Sequence, residues 1–300
     1  MTALRPWIPL FLIGSALLAQ APPPPPPPPP PAPPAPVIGV DVPSGSRTEQ
    51  RTEKLAQGSK LWVRNRNGAI RVTGWDKEEV SLTAQIRDSD RRKVELIVLR
   101  KGPDLDIEAA FQQPSWSFGV YVSPRCEMTL QVPRKLIGHF RTTNGAVTAD
   151  NLEGYARCEA TNGPIRVSRI RGEVHVDTTN GPIEARNLDA RIKGSTTNGN
   201  ITVVDVLGGI RLETTNGRIT AHNLDGWGEG IRLESTNGSL EVELGRATGD
   251  LLAENSNGSL DINIPGAQVI EQTKHSARIK VPGRSQAIRL ETTNGSIRVK

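Results

Sequence analysis

The chain has 300 residues, 37 Lys plus Arg against 32 Asp plus Glu, a formal net charge of +5, 4% aromatic residues, 24 prolines and 2 cysteines. Its positive and negative residues are interspersed, so the mild basicity leaves no nucleic-acid footprint. No Cys/His cluster has metal-ligand spacing.

Residues 1–21 read as a secretory signal. Arg5 supplies the positive start, Trp7 to Leu18 is an apolar run too short for an ordinary membrane span, and Ala19-Gln20-Ala21 is a small-x-small cleavage pattern. Pro22 follows at once and opposes cleavage, so an uncleaved N-terminal anchor is the alternative and the only predicted membrane link. Residues 22–36 are almost pure proline with a few alanines. Such a run has no ladder donors and extends as polyproline II, a stiff stalk rising about 3.1 Å per residue.

Residues 37–300 are predicted to form one elongated β domain. Its first part, 37–135, reads as irregular first coils that also cap a strand edge. Asn65-Arg66-Asn67-Gly68-Ala69-Ile70-Arg71-Val72 is a divergent copy of a phrase that recurs later. Within it, residues 103–125 read as an inserted arm carrying Phe111, Trp116, Phe118 and Tyr121. These rings either plug the end of the fold or form a contact loop for a glycan or protein.

Regular coils are predicted over 136–264. Asn144, Asn162, Asn180, Asn198 and Asn216, each followed by Gly, stand eighteen residues apart, and Asn237, Asn257 and Asn294 repeat the phrase at looser intervals. Two residues after each Gly comes an aliphatic (Val147, Ile165, Ile183, Ile201, Ile219, Leu240, Leu260, Ile297), with a small or branched residue two further on. That alternation is the period of a half-buried strand. A further apolar column, Leu152 to Leu224, arrives three residues later and marks a turn. Self-similarity at a fixed short period marks a solenoid, in which repeats bury apolar faces only by stacking. The predicted fold is therefore an all-β, single-stranded parallel β-solenoid of about eighteen residues per coil, right-handed by the default of parallel crossovers. An antiparallel meander with Asn-Gly hairpins and a left-handed hexapeptide helix are the alternatives.

In the parallel reading the eight asparagines stack about 4.8 Å apart as a hydrogen-bonded ladder, and each Gly is expected to take a positive φ at the bend. Cys126 and Cys158 both face inward, as two free thiols or one disulfide. The last segment, 265–300, adds a C-terminal coil whose basic final strand is expected at the exposed edge, where Arg298 and Lys300 discourage addition of further strands.

Two outward columns carry charge. One holds His139, Arg157, His175, Lys193, Arg211, Arg232 and Arg289; the other holds Glu159, Asp177, Glu213, Glu234, Glu254 and Glu291, with Ser195 as a gap. Mutual neutralisation is the predicted role, the histidines being solvated surface, with calcium binding by the carboxylates as the competing one. No catalytic grouping, nucleophile elbow or phosphate loop is present, and no cofactor is expected.

The Thr-Thr-Asn-Gly-x-Ile-x-Val phrase, the Asn-Leu-x-Gly corners at 151–154 and 223–226, and the Asn-x-Asn-Gly-x-Ile-x-Val-x-Gly-Trp run of 65–75 resemble a bacterial family of unknown function labelled putative adhesin. The resemblance covers about 37–300 and implies a β-solenoid at the cell envelope without established catalysis; the proline stalk lies outside the family pattern. The expected protein is exported to the periplasm or cell surface, is not an enzyme, and works as an adhesin or scaffold. A glycan-binding or glycan-cleaving β-helix with its site near 103–125 is the alternative. The partner is unknown, with a glycan, cell wall or protein surface as the candidate classes.

Overall fold

The computed structural model describes residues 45–89, 93–112 and 123–300. The predicted signal and stalk, and Trp116, Phe118 and Tyr121 of the arm, lie outside the described residues. Every regular element described is a β-strand, from Ser46–Lys54 to Ile297–Val299. Among these residues no helix is long and apolar enough to cross a membrane.

The repeats pair with one another in parallel. Ala156 faces Val174, Val174 faces Ile192, and Ile192 faces Ile210, a constant step of eighteen residues. Each repeat contributes a short strand such as Ile165–Ser168 and a longer one such as Arg171–Asn180; in Ile183–Asn198 the two run together. Both show the alternation that places Ile165, Ile183, Ile201 and Ile219 wholly inside. A one-residue slip would turn that whole aliphatic set to solvent, so the pattern locks the register. Between short and long strand the chain turns at Asn151, Arg169, Asn187, Asp205 and Asn223, all left-handed with φ of 52–59°. Asn and Asp tolerate that region well; Arg169 is the exception.

The Asn-Gly step keeps the expected positive φ at Gly145 and Gly258 (158° and 151°) but departs from it at other repeats. Gly163, Gly181, Gly199 and Gly217 lie outside the left-handed region. Glycine is needed there for closeness instead: a Cβ on Gly181 would lie 2.2 Å from the carbonyl oxygen of Gly163. The first Thr of the phrase occupies the space this creates. Thr178, Thr196 and Thr214 are buried, and their hydroxyls donate to the carbonyls of Gly163, Gly181 and Gly199 at 3.1, 3.2 and 3.1 Å.

Both ends depart from sequence order. Ala287–Asn294 inserts between Ile231–Asn237 and Gly249–Asn257, and Ile297–Val299 inserts between Leu240–Glu243 and Leu260–Ile262. The expectation of an exposed basic final strand is thus corrected, since Val299 is fully buried with strands on both sides. The outer strands at that end are Leu260–Ile262 and Gln268–Gln272, the latter antiparallel to Ser276–Val281. At the other end, Lys60–Asn67 lies between Lys135–Asn144 and Asp104–Phe111. Antiparallel partners then close the stack, Val94–Lys101 on Asp104–Phe111 and Glu79–Arg87 on Arg125–Pro133.

Gly181→Val should destabilise the protein by about 1–3 kcal/mol, the usual cost of overpacking, because a side chain there meets backbone that has no room to yield. Thermal unfolding checks this, and an unchanged melting temperature would contradict the close-approach account.

Candidate functional site

The Asn-Gly corner carries an unbroken row of side-chain amides. Asn162 donates to Asn144, Asn180 to Asn162, Asn198 to Asn180 and Asn216 to Asn198, at 2.8–2.9 Å. The row continues from Asn237 to Asn216, Asn294 to Asn237 and Asn257 to Asn294, again at 2.8–2.9 Å. Its spatial order follows the inserted C-terminal strand and not the sequence. Each of the six inner amides spends one N–H and its carbonyl on its neighbours, while Asn144 only accepts and Asn257 only donates. The asparagines are exposed.

The two charged columns meet on the long strands. Arg157 and Arg211 donate to Glu159 and Glu213, two residues along the same strand, at 2.6 and 2.9 Å, and Arg232–Glu234 and Arg289–Glu291 form the same pair. Arg157 also reaches Asp177 at 3.4 Å, and Ser195 donates to Asp177 at 2.7 Å. The hydrogen bond to Glu159 holds the Arg157 guanidinium above its ordinary pKa. The pairs are half exposed, so each is worth well under about 1 kcal/mol. Each carboxylate of the acidic column, stacked rung to rung on its copies, thus has a guanidinium within ion-pair distance. A polar groove of about 700 Å³ runs beside them, lined by the carboxylates of Glu213, Glu234, Glu254 and Glu291 and by rows of Thr and Ser. Among the described residues, no group of three or more His, Cys, Asp or Glu is placed to hold a metal ion.

The histidines at the start of the basic column are not simply solvated. His139 stacks on Trp62, centroids 5.7 Å apart and planes within 11°, and lies 5.5 Å from Tyr155, which in turn packs 5.2 Å from His175. Burial, and the nearby Arg157, lower the His139 pKa below its ordinary 6.5. Phe111, the described member of the aromatic arm, packs partly buried against the core. Cys126 and Cys158 are free and buried, and burial pushes both thiols up to about 12.

A second groove, of about 650 Å³, crosses the stack near the start of the same long strands, two residues before the basic column, and reaches Trp227. Trp227 is 66% exposed, and the sequence reading did not single it out. The available signal was the longer interval between Asn216 and Asn237. The register confirms it: Ile210 pairs with Ile231 across 21 residues where earlier rungs use 18, so the turn holds three extra residues.

The class defined by these observations is an all-β domain of stacked parallel repeats with polar outer columns. The chain belongs to the Toastrack DUF4097 family, whose model matches residues 59–300. No curated protein matches it. Among solved structures it is similar to a putative cell adhesion protein from Clostridium sporogenes, with 15% identity over 85% of this chain and 99% of that one and a TM-score of 0.26. It is also similar to a putative lipid binding protein from Parabacteroides distasonis, with 15% identity over 84% and 96% of the two chains and a TM-score of 0.47. A putative adhesin from the same organism shows 11% identity over 86% and 98%, with a TM-score of 0.29. What those names say applies to those proteins.

The folded protein binds a proton at His139 less readily than the unfolded chain does. Acidification below the ordinary value of 6.5 therefore loads the unfolded state first. Stability should fall as pH drops through that value and level off below the lowered one. Denaturant unfolding across this range checks the slope, and His139→Phe should flatten it.

Proposed function

We propose that this chain is an exported, non-enzymatic protein of the cell envelope or surface, in which the parallel stack winds as a right-handed, single-stranded β-solenoid and serves as an adhesive or scaffolding surface. Residues 1–21 direct export, 22–36 form the stalk, and 37–300 form the solenoid. The observation that carries this reading is the row of eight linked asparagines, Asn144 to Asn294, beside the paired Arg and Glu columns. Identical groups at one spacing offer many weak, equivalent contacts, and binding then grows by avidity instead of through one deep pocket. The structural role of the amide row and the neutralising role of the charge columns belong to the same proposal: they let like residues stack without penalty. The alternative, a glycan site beside 103–125, rests on Trp116, Phe118 and Tyr121 outside the described residues.

Removing residues 163–198 deletes two whole repeats and joins Asn162 to Gly199 in register. Binding of the full chain and of this variant to isolated cell walls, measured on immobilised layers, should show a graded loss, with the shortened chain retaining weaker attachment. All-or-none loss in a folded variant would refute the multivalent face.

A further inference from the structure

The groove that ends at Trp227 differs from every repeated column in the molecule. Its floor is a column without side-chain relief, Gly154, Gly172 and Ala190 in register, with Gly208 next: a Cβ there would lie 2.5 Å from the Ala190 carbonyl oxygen. The floor therefore forms an open trough across several rungs. At one end the three-residue extension lifts Trp227 out of the stack. Gly226, Gly228 and Gly230, all left-handed at φ 64–94°, set that turn. The exposed indole stands near Leu207, itself 39% exposed. Glu229 from the same turn reaches back to Arg191 at 2.8 Å. Glu173 and Asp189 also line the trough, and their side chains are 40% and 66% exposed.

We propose that this trough is a binding subsite for a neutral polysaccharide, a chain of uncharged pyranose rings lying across the rungs with one ring stacked on Trp227. This goes beyond the adhesive surface above: it places one ligand class at the opposite end of the long strands from the amide row. A pyranose has an apolar C–H face and a rim of hydroxyls. An exposed indole matches the first, since aromatic rings supply large apolar contact. Exposed carboxylates and a guanidinium match the second, accepting from and donating to neighbouring hydroxyls. The volume lies within the roughly 300–1,000 Å³ of small-ligand sites, which suits a short run of sugars and not a folded domain. Rungs are about 4.8 Å apart, close to the advance of one ring along an extended glycan.

Other occupants fit less well. The three carboxylates of Glu173, Asp189 and Glu229 outnumber Arg191, and Arg171 and His175 beside them are turned to Asp189 and Glu173. That balance repels uronic-acid polymers and anionic headgroups. An acyl chain needs an enclosed apolar channel, whereas this trough is open. An extended peptide gains affinity by adding to a free strand edge, and here the floor strands are already paired on both sides.

The test uses the full chain on an array of neutral hexasaccharides: β-1,4-linked glucose, N-acetylglucosamine and mannose, and α-1,4-linked glucose. Calorimetry and tryptophan fluorescence then follow on the best binder. Saturable binding is expected, with Trp227→Ala weakening it at least tenfold, Trp227→Phe recovering part of the loss, and Leu99→Ala at the far end changing nothing. Because Trp227 is exposed, its variants should unfold at the wild-type temperature. Absence of saturable binding to every neutral oligomer, or binding indifferent to Trp227→Ala, would overturn the proposal. Either result leaves the graded attachment of the repeat-deleted chain to be read separately, since the Trp227 variants keep every rung.

Discussion

The close approach of successive rungs at the Asn-Gly corner is the constraint on which the rest depends. A backbone stacked on its own copy leaves no space for a Cβ where Gly181 meets Gly163. It also leaves the glycine carbonyl facing a pocket that one small hydroxyl fills, and Thr178 fills it. The next-but-one residue then points outward beside its copies, where an amide is the side chain that can donate to one neighbour and accept from the other. The four-residue phrase is thus three solutions to one geometry: no side chain, a buried hydroxyl and a self-complementary amide. Once the corner is fixed, the strands on either side inherit a register that keeps the aliphatic columns inside.

Much of this was legible in the sequence because a stack writes its contacts as columns. The aliphatic positions, the amides and the paired charges all repeat at the interval that brings them together. What escaped were properties a column does not encode. The glycines repeat whether the demand is a positive φ or a missing Cβ, and only the backbone distinguishes the two. The left-handed corner was legible at Asn151 and Asn223, but it passes to Arg169 and Asp205 on other rungs, where residue identity hid it. His139 shares a column with arginines, yet its neighbour across the rung is Trp62 from a distant segment, which no local pattern reports. The insertion of 287–299 between earlier rungs was equally hidden, because its phrase would fit beside any other copy.

Uniformity and exception have different uses in such a molecule. The Arg–Glu pairs and the amide row are interchangeable from rung to rung, and the loss of any single one changes little. Distinctive chemistry can arise only where the period is broken. The three extra residues at Trp227 are such a break, the aromatic run from Trp62 to His175 another. The second is matched inside, where Phe140 is fully buried against the space left by Gly138 on the strand that carries His139.

The displaced order of the C-terminal strands has a consequence for how the chain reaches its native state. Ile231–Asn237 and Gly249–Asn257 are made before Ala287–Asn294, the strand that separates them. Both earlier strands present an amide, a hydroxyl or amide and an aliphatic set in the same pattern. Nothing local stops them from stacking directly on each other. A direct pairing of the two would use genuine ladder contacts and would have to open before the later strand could enter. The repeat that makes each rung compatible with its neighbour also makes it compatible with the wrong one. In the native order the late strand has a partner on each side, so its place is an interior slot and not a free edge.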